Sequence, residues 1–570
     1  MKMHKVHGEG WYLFRNLLIT LVFSGIWYFV MLPAINLKDP ELYLWTFASV
    51  LVFTLLQYFS LFASDGRQHF SGTTVVEVDF STVTGHKSIK IAAILLALIA
   101  AAAVIGMLSS LTIFHAGSYS ELLTVETGDF GTDVEQISFD QIPMLDKESA
   151  EKLGDRKLGE LSDMVSQFEV NSAYSQINYQ GSPVRVTYLD YGDVIKWFNN
   201  RSDGLPAYIL INMVTQEVTV KRLDEGMKYA PSDMFFHDMY RHLRLSYPTM
   251  IFDDINFEID ENGDPYWICS VVSKTIGLFG GTDVIGTVIM NAVSGDCTYY
   301  SLDEVPTWVD RVFSADLIVE QYNYHGELSG GFINSIFGQR NVTVTTDGYN
   351  YIAQNDDVWV YTGITSVAGD ESNVGFILSN QRTKETRYYA IAGAEEYSAM
   401  SSAEGMVQQM QYDATFPLLL NIDGQPTYFM ALKDASLLVK MYAMVNVQQY
   451  QIVATGSTLA ETQANYNALL SQNGITADME EATAALATVT ISGEIAEVRS
   501  QIISGSTVYY FRLKDDNAWY RVSADDWEEA VLLQEGTEVS FEITGEDGDP
   551  SAWIDAISPT ISADAGGENP

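Results

Sequence analysis

The residues of this chain that could do chemistry are a histidine pair, a few acid clusters and one aromatic run. His237 and His242 stand five apart on a predicted helix. Two metal ligands on one helical face need a spacing of three or four. The pair therefore predicts surface or core histidines, not a metal site. Asp260-Glu-Asn-Gly-Asp264 opens like a calcium loop, but its twelfth position, where such a loop needs glutamate, is Val271. A hairpin turn is the better reading, and Asp547-Gly-Asp549 is similar. The neighbouring acids Asp356-Asp357 and Glu395-Glu396 could move protons. Adjacent strand residues face opposite sides, however, so solvated charge is expected instead. No Gly-x-Ser-x-Gly, His-Glu-x-x-His, phosphate loop or dinucleotide fingerprint occurs. The expectation is a non-enzymatic chain with no catalytic residue, no metal ligand and no cofactor. Tyr509, Tyr510, Phe511, Trp519 and Tyr520 form the aromatic run. Of these, Tyr509, Tyr510, Trp519 and Tyr520 are the candidate ligand-facing aromatics, with a core role as the competing reading.

Three long apolar runs must anchor whatever these residues do. Residues 17–36, 42–64 and 91–115 carry no Asp, Glu, Lys or Arg, apart from His115 at the edge. Each is long enough to cross a bilayer. Lys2, Lys5 and Arg15 precede the first run, and Arg67, Lys87 and Lys90 lie between the second and third. Lys38 alone lies between the first and second. By the positive-inside rule the tail and second loop are cytoplasmic. The long C-terminal part is then extracytoplasmic. No ionisable residue lies mid-run, which disfavours transport.

The charge is just as lopsided. Residues 1–115 carry a net of +1 and the remainder −44. So acidic a body repels nucleic acid and anionic lipid. Its acids are spread among many aromatics, which predicts folded domains, not disorder. The two cysteines, Cys269 and Cys297, fall two strands apart. Sequential strands would hold them about 10 Å apart, too far for a disulfide, so two free thiols are expected.

Two short patterns recur in the body. Gly204-Leu-Pro-Ala-Tyr208, Gly263-Asp-Pro-Tyr-Trp267 and Gly424-Gln-Pro-Thr-Tyr428 each open an alternating apolar run. An asparagine, four residues and an acid then join two strands at Asn212–Glu217, Asn291–Asp296 and Asn380–Glu385. Asn446 leads to Gln451 in a degenerate fourth copy. Asparagine bonds its own backbone, so each is a predicted turn. Helices are predicted over Asp146–Gln167, from Ser232 through Leu245, and from Asp303-Pro306 to about Tyr324. Capping boxes are read at Ser401-Ser-Ala-Glu404 and Thr458-Leu-Ala-Glu461, the latter helix stopping at Asn473-Gly474.

A helix followed by strands with these hairpins resembles PepSY and related cystatin-like domains over roughly residues 140–470. The PepSY hairpin usually carries Asp where this chain has Asn212, Asn291, Asn380 and Asn446, and only Gly295 matches its glycine. Four segments also resemble an uncharacterised family of membrane proteins of anaerobic Gram-positive bacteria. They are Leu145-Asp-Lys-Glu-Ser-Ala-Glu, Val305-Pro-Thr-Trp-Val-Asp-Arg311, Val360-Tyr-Thr-Gly-Ile-Thr-Ser366 and Gly393-Ala-Glu-Glu-Tyr-Ser-Ala-Met400. The PepSY resemblance implies peptidase inhibition or regulation of the cell envelope.

The texture changes at Thr488. Strands are predicted at 490–498, 507–513 and 518–522, then a short helix at 524–533, then strands at 537–543 and 552–557. Five strands with a helix after the third is an OB-like order. The expected fold class is therefore α+β. It comprises a three-helix membrane anchor (1–116), four helix-plus-sheet repeats (117–230, 231–325, 326–411 and 412–474), a linker (475–487), an OB-like barrel (488–560) and a disordered tail (561–570). The expected role is a multi-pass, envelope-facing binding or regulatory protein with an envelope protein partner. Binding or cleaving a wall glycan is the alternative.

Overall fold

The computed structural model describes residues 9–68, 85–134, 136, 142–354, 356–367, 372–475, 488–503, 506–514, 519–524, 528–544 and 560–561. It is an α+β protein with two compact units, Met1–Leu459 and Ala460–Pro570.

Gly10–Met31, Pro40–Phe62 and Lys87–Ser109 are helices long and apolar enough to cross a membrane. Leu21, Val30, Leu98 and Ile105 on them are more than half exposed, which suits acyl chains. The first and third spans lie nearer the N-terminus than expected. Leu32 precedes Pro33, a position that disfavours helix. It takes a positive φ of 52° and ends the first span. Ser110 ends the third, and a separate helix, Thr112–Ser120, follows. The shift brings Arg15 and Asn16 inside the first helix. Asn16 is fully buried; its Nδ2 donates to Gln57 Oε1 at 2.9 Å and Ser60 Oγ at 3.0 Å. Gln57 Nε2 reaches Ser88 Oγ at 3.3 Å. Side-chain hydrogen bonds thus tie the three helices together.

Among the described residues, four antiparallel meanders fill the rest of the first unit, each following a helix. Helix Lys147–Gly159 precedes a sheet of Phe168–Val170 and Ser175–Tyr179, Ser182–Tyr191, Leu205–Asn212 and Val218–Met227. Helix Met239–Ser246 precedes Ile251–Ile259, Pro265–Ile276, Gly280–Asn291 and Cys297–Ser301. Helix Ala315–Leu328 precedes Thr343–Thr345 and Asn350–Gln354, Asp357–Ser366, Gly375–Asn380 and Thr386–Tyr389. Helix Glu396–Met406 precedes Asp413–Ala414 and Leu418–Ile422, Gln425–Lys433, Val439–Asn446 and Val453–Gly456. Val125–Thr127 adds a parallel edge strand to the third sheet.

Strand alternation lets the middle sheets serve two cores each. Trp267, Cys269 and Val271 face a core shared with the first sheet, while Ile268 and Val272 face one shared with the third. In the third sheet Trp359 and Tyr361 pack toward the fourth, and Val360 and Ile364 toward the second.

The asparagines do make turns. Oδ1 of Asn212, Asn291 and Asn380 accepts from the N–H groups two and three residues on, at 2.8–2.9 Å. Each asparagine N–H donates to the carbonyl of the acid five residues on: Glu217, Asp296 or Glu385. Asn446 makes the same side-chain bonds, but its N–H reaches Ile452, so this loop is one residue longer.

The glycine–proline pattern aligns differently from its sequence reading. Gly263 and Gly424 lead into the second strand of their sheets, whereas Gly204 leads into the third strand of its own. The helix Val194–Asn200 intervenes there, and a Cβ on Gly204 would meet the Met227 carbonyl at 2.4 Å. The first sheet's counterpart is Gly181-Ser-Pro183. Met213, Ala292 and Val447, each just after a turn asparagine, donate to the carbonyls of Pro183, Pro265 and Pro426 at 3.0 Å. In the third sheet Gln381 donates to Val358 instead.

Several predicted helix starts move. Asp238, not Ser232, caps its helix, accepting from Arg241 N at 2.8 Å. The helix expected from Asp303 begins after Ser314, because the backbone N–H groups of Asp310 and Arg311 bond the Glu258 carboxylate. Ser401–Glu404 lies inside a helix that starts at Glu396. The helix expected over Asp146–Gln167 stops at Gly159. Leu459–Gln472 forms as expected, with Gly474 at φ 72° beyond it.

Among the described residues, the second unit holds one five-stranded sheet. Its strands, Thr488–Ile503, Ser506–Leu513, Trp519–Ser523, Glu538–Thr544 and Thr560–Ile561, lie in the order third, second, first, fourth, fifth. The long first strand pairs with the fourth through its opening half and with the second through its closing half. The strand expected at 552–557, Asp547-Gly-Asp549, the linker after 475 and the tail after 561 lie outside the described residues.

Candidate functional site

A cavity of about 570 Å³ opens among the first, third and fourth sheets. Leu145–Glu148, Tyr174 and Arg185 line it from the first sheet and the segment leading to it. Arg311, Tyr349–Tyr351, Thr415, Phe416 and Lys433 complete much of the wall. Arg185, Arg311 and Lys433 on its wall differ in what they hold. Lys433 Nζ lies 2.6 Å from Asp146 Oδ2 and 3.1 Å from Glu148 Oε2, so its charge is matched.

Arg185 is only 7% exposed. Its Nε has one long bond, 3.4 Å to the Leu145 carbonyl, and among the described residues the side chain forms no ion pair. Burial pushes its pKa down to about 10; Tyr351, Asp146 and Glu151 nearby push it back up, and the charge of Arg311 adds to the lowering. Arg311 Nη2 is 3.8 Å from Asp254 Oδ2, and its guanidinium lies over the Tyr351 ring at 5.5 Å. Its Nε is buried without a hydrogen-bond partner, as is the Tyr174 hydroxyl. Burial raises the Tyr174 pKa, so that hydroxyl stays a donor. A buried guanidinium with no carboxylate in direct contact is costly. Arg185, with no ion pair among the described residues, lines open space beside Arg311 and a phenol and suits a carboxylate or phosphate.

A second buried cluster has the opposite character. Glu258 and Asp310 are 0% and 1% exposed. Glu258 accepts from the N–H groups of Asp310 and Arg311 at 2.9 and 3.0 Å, and Asp310 accepts from Asn178 N at 2.6 Å. Burial raises both carboxyls above their ordinary range. Neither lines the cavity, and both serve to pin the Val305–Arg311 loop.

The residues singled out by sequence take structural places. His237 stacks on Tyr229 and His242 meets it at a tilt, and they face the carbonyls of Lys228 and Gly295. Asp260 Oδ1 accepts from Asn262 N and Asp264 N at 2.9 Å, a hairpin turn. Asp357, expected as solvated charge, is buried and receives two bonds of 2.7 Å from Arg382. Glu396 is likewise buried, accepting from Thr346 Oγ1 at 3.0 Å. Cys269 and Cys297 are free thiols. The aromatic run splits across its sheet. Tyr520 is 2% exposed in the core with Phe511 and Phe541, and Tyr509 packs against that core. They do not share one face with Tyr510 and Trp519, because alternate strand residues point apart. The Arg499 guanidinium lies 5.3 Å from the Trp519 ring.

Arg185, Arg311 and Tyr174 escaped the sequence reading. A lone arginine inside the β-branched run Pro183-Val-Arg-Val-Thr187 was the signal available.

No protein-family model matches the chain. No curated protein matches it either. Among solved structures, a mutant levansucrase from B. megaterium is similar at 12% identity and a TM-score of 0.18, over 78% of this chain and 96% of that one. An exo-beta-1,3-galactanase from Phanerochaete chrysosporium is similar at 9% identity and 0.16, over 60% and 80%. Superpositions this loose establish neither a shared fold nor a shared activity.

Proposed function

We propose that this chain is a membrane-anchored binding protein whose central cavity captures a ligand through a carboxylate or phosphate group. Arg185 carries the reading: a buried guanidinium with no contact ion pair among the described residues, lining open space. In this reading the N-terminal tail is cytoplasmic and the body extracytoplasmic, following the lysine and arginine distribution. The role is binding or regulation at the cell envelope, with a peptidase or wall enzyme as partner. The helix-plus-meander plan and its recurring asparagine turn support four PepSY-like or cystatin-like repeats. The strand order of the second unit supports an OB-like barrel.

Calorimetric titration of the full chain in nanodiscs with inorganic phosphate and with acetate, at constant ionic strength, tests the cavity. Binding that is lost in Arg185→Met supports it. Equal heats from both proteins would sink it. A second reading, wall-glycan binding by the second unit, rests on Tyr510 and Trp519 lying off the core face. Retention of wall polysaccharide by intact protein and its loss in Trp519→Ala would favour that reading.

A further inference from the structure

The body of the first unit carries large exposed apolar side chains close to where the spans end. Arg241 Nε donates to the Phe29 carbonyl at 3.1 Å, and Arg244 Nε to the Leu32 carbonyl at 2.9 Å. These carbonyls lie at the end of the first span, where no helical N–H reaches them. The N–H groups of Leu278 and Phe279 donate to the hydroxyls of Ser109 and Ser110 at the end of the third span. The Phe279 ring also meets Tyr43, near the start of the second, at 5.3 Å. The second sheet is therefore fastened to all three spans.

Two apolar patches continue outward from this junction. The Phe236 ring stands 5.6 Å from Phe29, two residues before the first span ends. Phe235 beside it holds a positive φ of 57° while 61% exposed. Such a conformation in an exposed aromatic points to function before packing. Trp197 connects Phe235 to Val194, Ile195 and Phe198, all 59–72% exposed. The second patch is Ile333, Ile336 and Phe337, 50–81% exposed. Phe332 beside it packs against a cluster of Tyr119, on the helix that follows the third span, with Ile276 and Leu328. The Tyr119 hydroxyl donates to the Ser110 carbonyl at 2.6 Å.

We propose that both patches dip into the leaflet that the spans leave, so that the body lies on the bilayer surface. Continuity with the span ends selects lipid as the occupant. Lys196 and Arg201 flank the first patch, where long cationic side chains reach headgroups while their stems stay apolar. The Arg201 guanidinium lies 3.8 Å from the Phe198 ring. An apolar surface of this kind rarely faces water in isolation.

The test uses the full chain in phosphatidylcholine vesicles, with bimane attached at Ile195→Cys or Phe337→Cys. The native thiols label slowly, since Cys269 is fully buried and burial pushes Cys297 up to about 11. A bimane at Ile26→Cys, inside the first span, is the positive control. Several-fold quenching at both positions by lipid carrying a nitroxide near the headgroup supports the proposal. Either label quenched only by aqueous iodide, while the Ile26 label responds to lipid, would overturn it. A label shielded from both quenchers would also overturn it, since a protein surface would then cover the patch.

Discussion

Two buried charge clusters in the first unit differ in how their charges are met. Glu258 and Asp310 are more deeply buried than Arg185, yet backbone N–H groups answer both carboxyls. Arg185 has one long bond to a carbonyl, a second guanidinium nearby, and Asp146 and Glu151 acting on it without a direct ion pair among the described residues. Burial alone therefore does not mark a binding site. A buried group whose hydrogen bonds the fold already supplies holds structure in place, while a guanidinium with little direct pairing beside open space is available to a ligand.

The sharpest way to break this comparison is to remove Glu258. Glu258→Ala leaves two loop N–H groups without their acceptor and should cost about 3 kcal/mol, read by chemical unfolding of the full chain in detergent. Near-wild-type stability would show that the carboxylate does not hold the loop. The same cluster sets a pH dependence. Burial raises the Glu258 and Asp310 pKa values in the folded protein, so folding favours their protonated forms. Their stabilising contribution is full below the ordinary carboxyl range and is lost as pH rises through the raised values. Melting temperature should thus fall on going from about pH 5 to pH 8, and less steeply in Glu258→Gln.

A local motif should matter less than this long-range one. Asn291→Ala removes a side-chain acceptor from Val293 and Ser294 while leaving the backbone turn bonds of Asn291. A loss of about 1 kcal/mol is expected, smaller than that of Glu258→Ala. Asn446→Ala, in the longer loop, is the internal comparison. A loss from Asn291→Ala equal to that from Glu258→Ala would erase the distinction.

These two cases explain what was legible in the sequence. The Asn turns were readable because every bond is made within a few residues. The three apolar helices were readable from composition, although Leu32 before Pro33 and the inclusion of Asn16 moved their ends. The Gly-x-Pro alignment failed at Gly204 because Val194–Asn200 interrupts the first sheet, and only strand pairing reveals Gly181 as the counterpart. The helix expected from Asp303 failed because Glu258, some fifty residues earlier, takes the loop's N–H groups. Glu396 and Asp357 looked like surface acids for the same reason: Thr346 and Arg382 reach them through folding, not through neighbouring sequence. The cavity was the least legible, since Tyr174, Arg185 and Arg311 converge only when the sheets pack.

The smallest expected change in stability is also the most informative. Arg185→Met keeps an unbranched apolar stem and removes a guanidinium that no carboxylate contacts directly among the described residues. If the charge is held only for a ligand, unliganded stability should change by less than about 1 kcal/mol, or rise, as replacing buried charge with apolar groups can do. Phosphate should raise the melting temperature of the parent chain, because a ligand that binds only the folded state stabilises it. In Arg185→Met that increment should vanish. A large destabilisation without ligand would instead place Arg185 with Glu258, as a charge the fold needs for itself.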